Sequence, residues 1–195
     1  MDDDFNEFAP LLVPLTGEPF MVEGKQAKPD LLDLEDISPS RKIRSLVNSS
    51  KFLIRLFSPD YETRISGVKK CGDPPFMADA MSSLEDISND AEEDDKIRWT
   101  ANESMALIEF GQKSEDFEGL KGRLDALEKL SALNSLRALA RIDGFEKEIE
   151  ALESSEKINA NQSASLFKSI SKVKKRIEGH KSSVELAGNL FRGVS

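Results

Sequence analysis

The sequence predicts an all-α protein, an irregular HEAT-like helical repeat of stacked helix hairpins behind an extended acidic N-terminal arm. Three observations lead there. No proline occurs after Pro75, so nothing but glycine and capping residues interrupts helix formation from there on. Beyond residue 40 the apolar residues recur in steps of three and four and do not alternate. Three charged turns of similar form each precede a helical pattern, which is how a stacked-hairpin array looks in sequence. With 195 residues the chain is long enough to bury a real core.

The arm, residues 1–39, is read as acidic and mostly irregular. Residues 1–40 carry ten acids against Lys25 and Lys28, a net −8 out of a whole-chain −9. Pro10, Pro14, Pro19 and Pro29 punctuate them too often for a long helix, and a short strand pair is expected around VPLTGEPFMV.

A helical-repeat domain is expected over residues 40–182. Ile43, Leu46, Val47, Leu53, Ile54 and Phe57 fall near one helical stripe. Ser58-Pro59-Asp60 ends that helix, and Asp60 caps the next, near 61–71. The second helix stops at Cys71-Gly72-Asp73-Pro74-Pro75, where glycine supplies a left-handed residue and the prolines forbid continuation. Helices near 76–88 and 95–110 follow, joined by the acidic loop SNDAEEDD. Phe117, Leu120, Leu124, Leu127 and Leu130 form a buried seam, which Leu133, Leu136, Leu139 and Ile142 repeat before Asp143-Gly144 breaks it. Two more helices are expected near 145–153 and 160–179.

The three charged turns open SPDYETRISGVKKCGD, EEDDKIRWTANESMALIEFG and SEDFEGLKGRLDALEKLSAL. Arg64, Arg98 and Lys121 hold matching places in them, the second interval shorter than the first. These cations are expected to tie one acidic turn to the next, as structural links without a catalytic role. An ordinary helical bundle with coincidental charged turns is the competing reading.

The chemistry inventory argues against an enzyme and for no cofactor or metal. One Cys and one His exclude a disulfide framework and multi-cysteine metal sites, and no Gly-rich phosphate loop is present. Cys71 adjoins Lys69 and Lys70, which favour a lowered thiol pKa, yet it reads as a structural thiol with no His or second Cys nearby. His180 reads as solvated. Asp90, Glu92, Glu93, Asp94 and Asp95 carry charge enough for a hard cation but lack the order of a calcium loop, so they read as a hydrated loop that caps the following helix. Trp99 reads as core. Lys168, Lys172, Lys174, Lys175, Arg176 and Lys181 form a basic segment. A nucleic acid, a membrane surface, an acidic partner and plain solvent all suit such a segment, although the −9 charge and the lone aromatic Phe167 count against nucleic acid. Lys172, Lys174, Lys175 and Arg176 are its candidate interaction surface.

Taken in order, PLTGEP (14–19), RKIRSLVNSSKFLIRLFSPDYETR (41–64), SEDFEGLKGRLDALEKLSALNSLRAL (114–139) and VELAGNLFRGVS (184–195) resemble the N-terminal soluble region of the urea-type ABC transporter permeases, in the branched-chain amino acid-type permease family. LFSPD with PLTGEP upstream is the most telling pair. The resemblance implies a noncatalytic helical-repeat region of a urea uptake system, working beside the membrane permease, ATP-binding subunits and a substrate-binding protein. It also implies that residues 183–195 lead into a first membrane helix, with the domain on the extracytoplasmic face of the inner membrane. No transport or substrate residue lies in the matching stretches. The alternative is a free-standing cytoplasmic helical adaptor or regulator, a location that suits the acidic start MDDDFNEFAP.

Overall fold

The computed structural model describes residues 11, 13, 16–28, 47 and 50–192, with side chains described as far as residue 179. The expectations for Ile43, Leu46, His180 and the side chains of the C-terminal segment lie outside those limits. The described chain is mostly helical with one small sheet, in agreement with the all-α prediction. It groups into two units that divide between Ser104 and Met105.

In the first unit, strand β1 (Met21–Val22) pairs antiparallel with β2 (Lys25–Gln26), Met21 opposite Gln26 and Val22 opposite Lys25. Glu23 (φ 51°) and Gly24 (φ 78°) make the two-residue turn, whose positive φ angles match the twist of the strands. The pair therefore starts at the end of the expected VPLTGEPFMV stretch and reaches past it. Helix α1, described at 47 and 50–55, buries Leu53 and, just past its end, Leu56, but leaves Val47 and Ile54 exposed. Its core stripe is thus rotated from the expected one.

Helix α2 (Tyr61–Cys71) begins where the Ser-Pro-Asp signal places it. The Asp60 carboxylate accepts the Thr63 N–H at 3.3 Å and the Thr63 hydroxyl at 3.1 Å. Glu62 in the first turn and Lys69 and Lys70 in the last complement the helix dipole. Its terminal Gly72 corrects the expectation of a left-handed stop, because its φ is −86°. Glycine is needed there for space: a Cβ would stand 2.8 Å from the Ser104 Cα. Gly67 allows a similar approach, since a Cβ there would lie 2.7 Å from the Arg55 Cβ on the preceding segment. The buried Ser104 hydroxyl donates to the Val68 carbonyl at 2.8 Å across the first of these contacts.

A single 3-10 turn (Ala78–Ala80) leads into α3 (Met81–Asn89), which begins later than the expected 76. Helix α4 (Asp95–Gly111) is capped by Asp94, whose carboxylate accepts the Lys96 N–H at 2.9 Å and the Ile97 N–H at 3.3 Å. Cys71 is fully buried, and that desolvation pushes its thiol up to about 12. Burial thus overrides the adjacent lysines, and the thiol is inert in the folded protein. Trp99 is 50% exposed, a correction to its reading as core; the buried α4 positions around it include Ile97, Thr100, Ala101 and Ser104.

The second unit contains the end of α4 and three long helices, each packed against the other two: α5 (Phe117–Leu133), α6 (Ser135–Ser154) and α7 (Ala160–Arg192). Asp116 caps α5 by accepting the Gly119 N–H at 2.7 Å. Asn134 alone joins α5 to α6; its N–H donates to the Leu130 carbonyl at 2.7 Å and its side chain accepts the Arg137 N–H at 3.1 Å. Helix α6 then runs unbroken through Asp143-Gly144, which corrects the expected break. Gly144 is exposed on its outer side and costs only about 1 kcal/mol relative to alanine. The start of α7 has a reciprocal cap, Asn159 and Gln162 each accepting the other's N–H at 3.0 and 2.9 Å.

Buried residues step by three and four along α6 (Ala138, Ile142, Phe145, Ile149, Leu152) and α7 (Ser163, Leu166, Ile170, Val173, Ile177), which is a heptad spacing. Leu136 and Leu139, expected in the seam, are 67% and 37% exposed. Once Asn134 starts a fresh helix, Ala138 and Ile142 define the inward face and those leucines fall beside it.

One charged residue lies inside this core. Arg123 is 9% exposed. Its Nε donates to the Phe110 carbonyl at 2.9 Å, and its two terminal nitrogens reach the Glu148 carboxylate at 2.6 and 2.8 Å. The guanidinium also lies 4.8 Å from the Phe145 ring centroid and 5.2 Å from that of Phe110, and the two rings meet edge to face at 5.3 Å.

Arg123→Ala is expected to lower unfolding stability by about 3 kcal/mol or more, because it removes the guanidinium that Glu148 and the Phe110 carbonyl bond; urea denaturation checks this. In the same assay Ile142→Ala costs about 2–5 kcal/mol, while Leu136→Ala changes stability by less than about 0.5 kcal/mol. The reverse order would place the α6 seam on Leu136.

Candidate functional site

The three matched cations end in different places. Arg64, in the first turn of α2, forms an ion pair with Glu93 in the acidic loop between α3 and α4. The Glu93 side chain is 8% exposed, and its other oxygen accepts the Asp94 N–H at 3.1 Å, so this carboxylate is held from both sides. Arg98 pairs with Asp95 three residues before it, and Lys121 with Glu118 at 3.0 Å in its own first turn. Neither reaches a following turn, which corrects the expectation that all three act as links. The physical reason is local supply: each helix start already offers a carboxylate three residues away, and a nearer partner requires less ordering of the long side chain. The carboxylates of the next turn are also engaged, Asp116 as the α5 cap and Glu115 with Lys157. That hydrogen bond, and then the charge of Lys157, hold the Glu115 carboxyl below its ordinary range. The link is therefore complete at neutral pH and is released as pH falls through the lowered value.

Beside Arg64 lies a cleft of about 430 Å³ in the first unit. Phe57 and Ile87 give it apolar wall, and Glu18, Asp86 and Asp90 ring it with carboxylates. Among the described residues its lining carries one guanidinium, that of Arg64, which is bound to Glu93. Asp90 and Asp94 are used as turn and helix caps, as expected of a capping loop. Among the described residues no group of three or more His, Cys, Asp or Glu side chains is placed to hold a metal ion.

Of the candidate surface on α7, Lys172, Lys175 and Arg176 are exposed, while Lys174 is half-buried and donates to Glu146 at 2.8 and 2.9 Å. Lys174 thus serves as a tie from α7 to α6 and leaves the surface set. Lys168 takes its place, exposed one turn before Lys172. Cross-helix ties of the second unit include Arg123–Glu148, Lys129–Glu109 and Lys174–Glu146, at residues the charged-turn pattern did not indicate. A signal for Arg123 was present, since it stands inside the Leu120–Leu124–Leu127 seam where a solvated cation has no place.

A double-mutant cycle on Arg64 and Glu93 is expected to give a coupling of about 1–3 kcal/mol in thermal unfolding, because Glu93 is almost fully desolvated. Arg98→Ala and Lys121→Ala, at exposed pairs, each change stability by less than about 1 kcal/mol. No family model, curated protein or solved structure matches the chain.

Proposed function

We propose that the chain is a noncatalytic helical-repeat interaction domain of a urea-type ABC transporter permease, contributing to urea uptake through protein–protein contacts. The single observation that carries the reading is the Arg64–Glu93 pair. Arg64 closes the matching stretch 41–64, four residues after LFSPD, and it reaches the next charged turn as stacked hairpins require. The close approaches at Gly67, to the segment before α2, and at Gly72, to α4, support helix stacking, because small residues let helices pack closely. On this reading the partners are the membrane part of the permease and the substrate-binding protein, and the domain sits on the extracytoplasmic face of the inner membrane. The acidic-walled cleft and the helix faces contribute contact area, and the chemistry of transport lies elsewhere.

An antiserum against the chain tests this in fractionated native cells. The expected band lies in the membrane fraction, at a mass well above that of the chain alone, and in-frame removal of residues 40–182 abolishes urea uptake. A soluble band at the mass of the chain alone, with uptake unchanged by the deletion, overturns the proposal in favour of a free-standing adaptor.

A further inference from the structure

The outward side of α7 differs from every other helix face of its unit. Residues 161, 165, 168, 172, 175, 176 and 179 lie on one side of the helix, opposite the buried Leu166–Ile170–Val173–Ile177 seam. They are Asn161, Ser165, Lys168, Lys172, Lys175, Arg176 and Gly179: four cations and no large apolar side chain, with the exposed Glu178, three residues beyond Lys175, at their edge. All are exposed, and none of the four cations has an ion-pair partner among the described residues. By contrast, the surface of α6 mixes Glu146, Lys147, Glu148 and Glu150, and that of α5 mixes Lys121, Asp125 and Lys129. A solvated helix face normally interleaves signs, because like charges at helical spacing repel. With a rise of about 1.5 Å per residue, the four cations line up along roughly 12 Å.

We infer that this cationic ridge of α7 docks on the headgroups of an anionic phospholipid surface. Charge complementarity selects a polyanion, and two further features select the bilayer among polyanions. The ridge has no aromatic or apolar anchor, which a protein interface would need at its centre and single-stranded nucleic acid would need for stacking. The same helix continues to Arg192, and its last stretch, VELAGNLFR, is mostly apolar with Glu185 and Arg192 as its charges. A basic segment running into an apolar one on a single helix is the pattern of attachment to a bilayer surface. Among the described residues no helix is long and apolar enough to cross a membrane, so the contact inferred lies along the surface. The net charge of −9 does not oppose it, because at physiological salt the Debye length is about 8 Å and the ridge responds to what it touches.

The inference stands apart from the urea-transport proposal, and the two fail in separate experiments. Co-sedimentation of the full chain with vesicles is the test, using phosphatidylcholine alone and phosphatidylcholine mixed with phosphatidylglycerol. Binding is expected only with phosphatidylglycerol, and it is lost as salt rises to about 1 M, where the Debye length falls to about 3 Å. Each cation near such a surface is worth about fivefold in affinity, so combined Lys168→Glu, Lys172→Glu, Lys175→Glu and Arg176→Glu lowers binding at least about tenfold. Ser165→Lys, which adds a cation to the ridge at an exposed position, strengthens it. Lys96→Glu with Lys113→Glu, at exposed positions outside the α7 sequence, leaves it unchanged. Equal binding to both vesicle types, full binding by the fourfold variant, or displacement from vesicles by an equal charge of duplex DNA or of polyglutamate overturns the inference.

Discussion

A guanidinium that is 9% exposed cannot be left to solvent, and the arrangement of the second unit follows from satisfying it. The acceptors of Arg123 come from separate parts of the chain: a carbonyl at the end of α4, and a carboxylate one turn beyond Phe145 on α6. The Phe110 and Phe145 rings, in contact with each other edge to face, lie together beside the cation at 5.2 and 4.8 Å. Apolar seams of heptad spacing remain similar when one helix slides by a turn, since leucine and isoleucine recur at each layer. The bidentate Arg123–Glu148 pair does not tolerate such a slide, because both charges would lose their partner in a low dielectric. The ion pair therefore sets the register that the apolar layers stabilise.

The first unit reaches the same end by close approach. Gly67 and Gly72 bring α2 against its neighbours where a Cβ would collide, and Ser104 bonds the Val68 carbonyl beside the second of these contacts. Arg64 and Glu93 add a charged link between α2 and the loop that follows α3. These contacts act beside an apolar core of Leu56, Ile65, Val68, Leu84, Ile87 and Ile97.

Charges within the units are largely committed. Glu146, Glu148 and Glu109 each receive a cation from another helix, and Asp60, Asp94 and Asp116 each cap one. Against that background, a ridge of uncommitted cations on α7 stands out as surface that stability does not need. The acidic arm accounts for nearly all the negative charge of the chain, so the rest is a nearly neutral body with a basic side.

The helix starts were legible because capping is a local event. An Asp followed three residues on by an available N–H can be read from neighbours alone, and Asp60, Asp94 and Asp116 all stand where the sequence places helix starts. The same local chemistry starts α6 at Asn134, whereas Asp143-Gly144 does not end it, because a glycine inside a helix costs too little to break one that packs well. Beyond the caps, the sequence alone determined the helical class, the uneven charge and the poverty of catalytic groups, since these depend on composition and short-range pattern. Tertiary structure decided which apolar residues face inward, which cations become ties and which face is left bare. Those outcomes depend on how each helix is rotated and on what lies opposite, so Leu136 and Trp99 emerged exposed, Lys174 became a strut, and Arg123 entered the core.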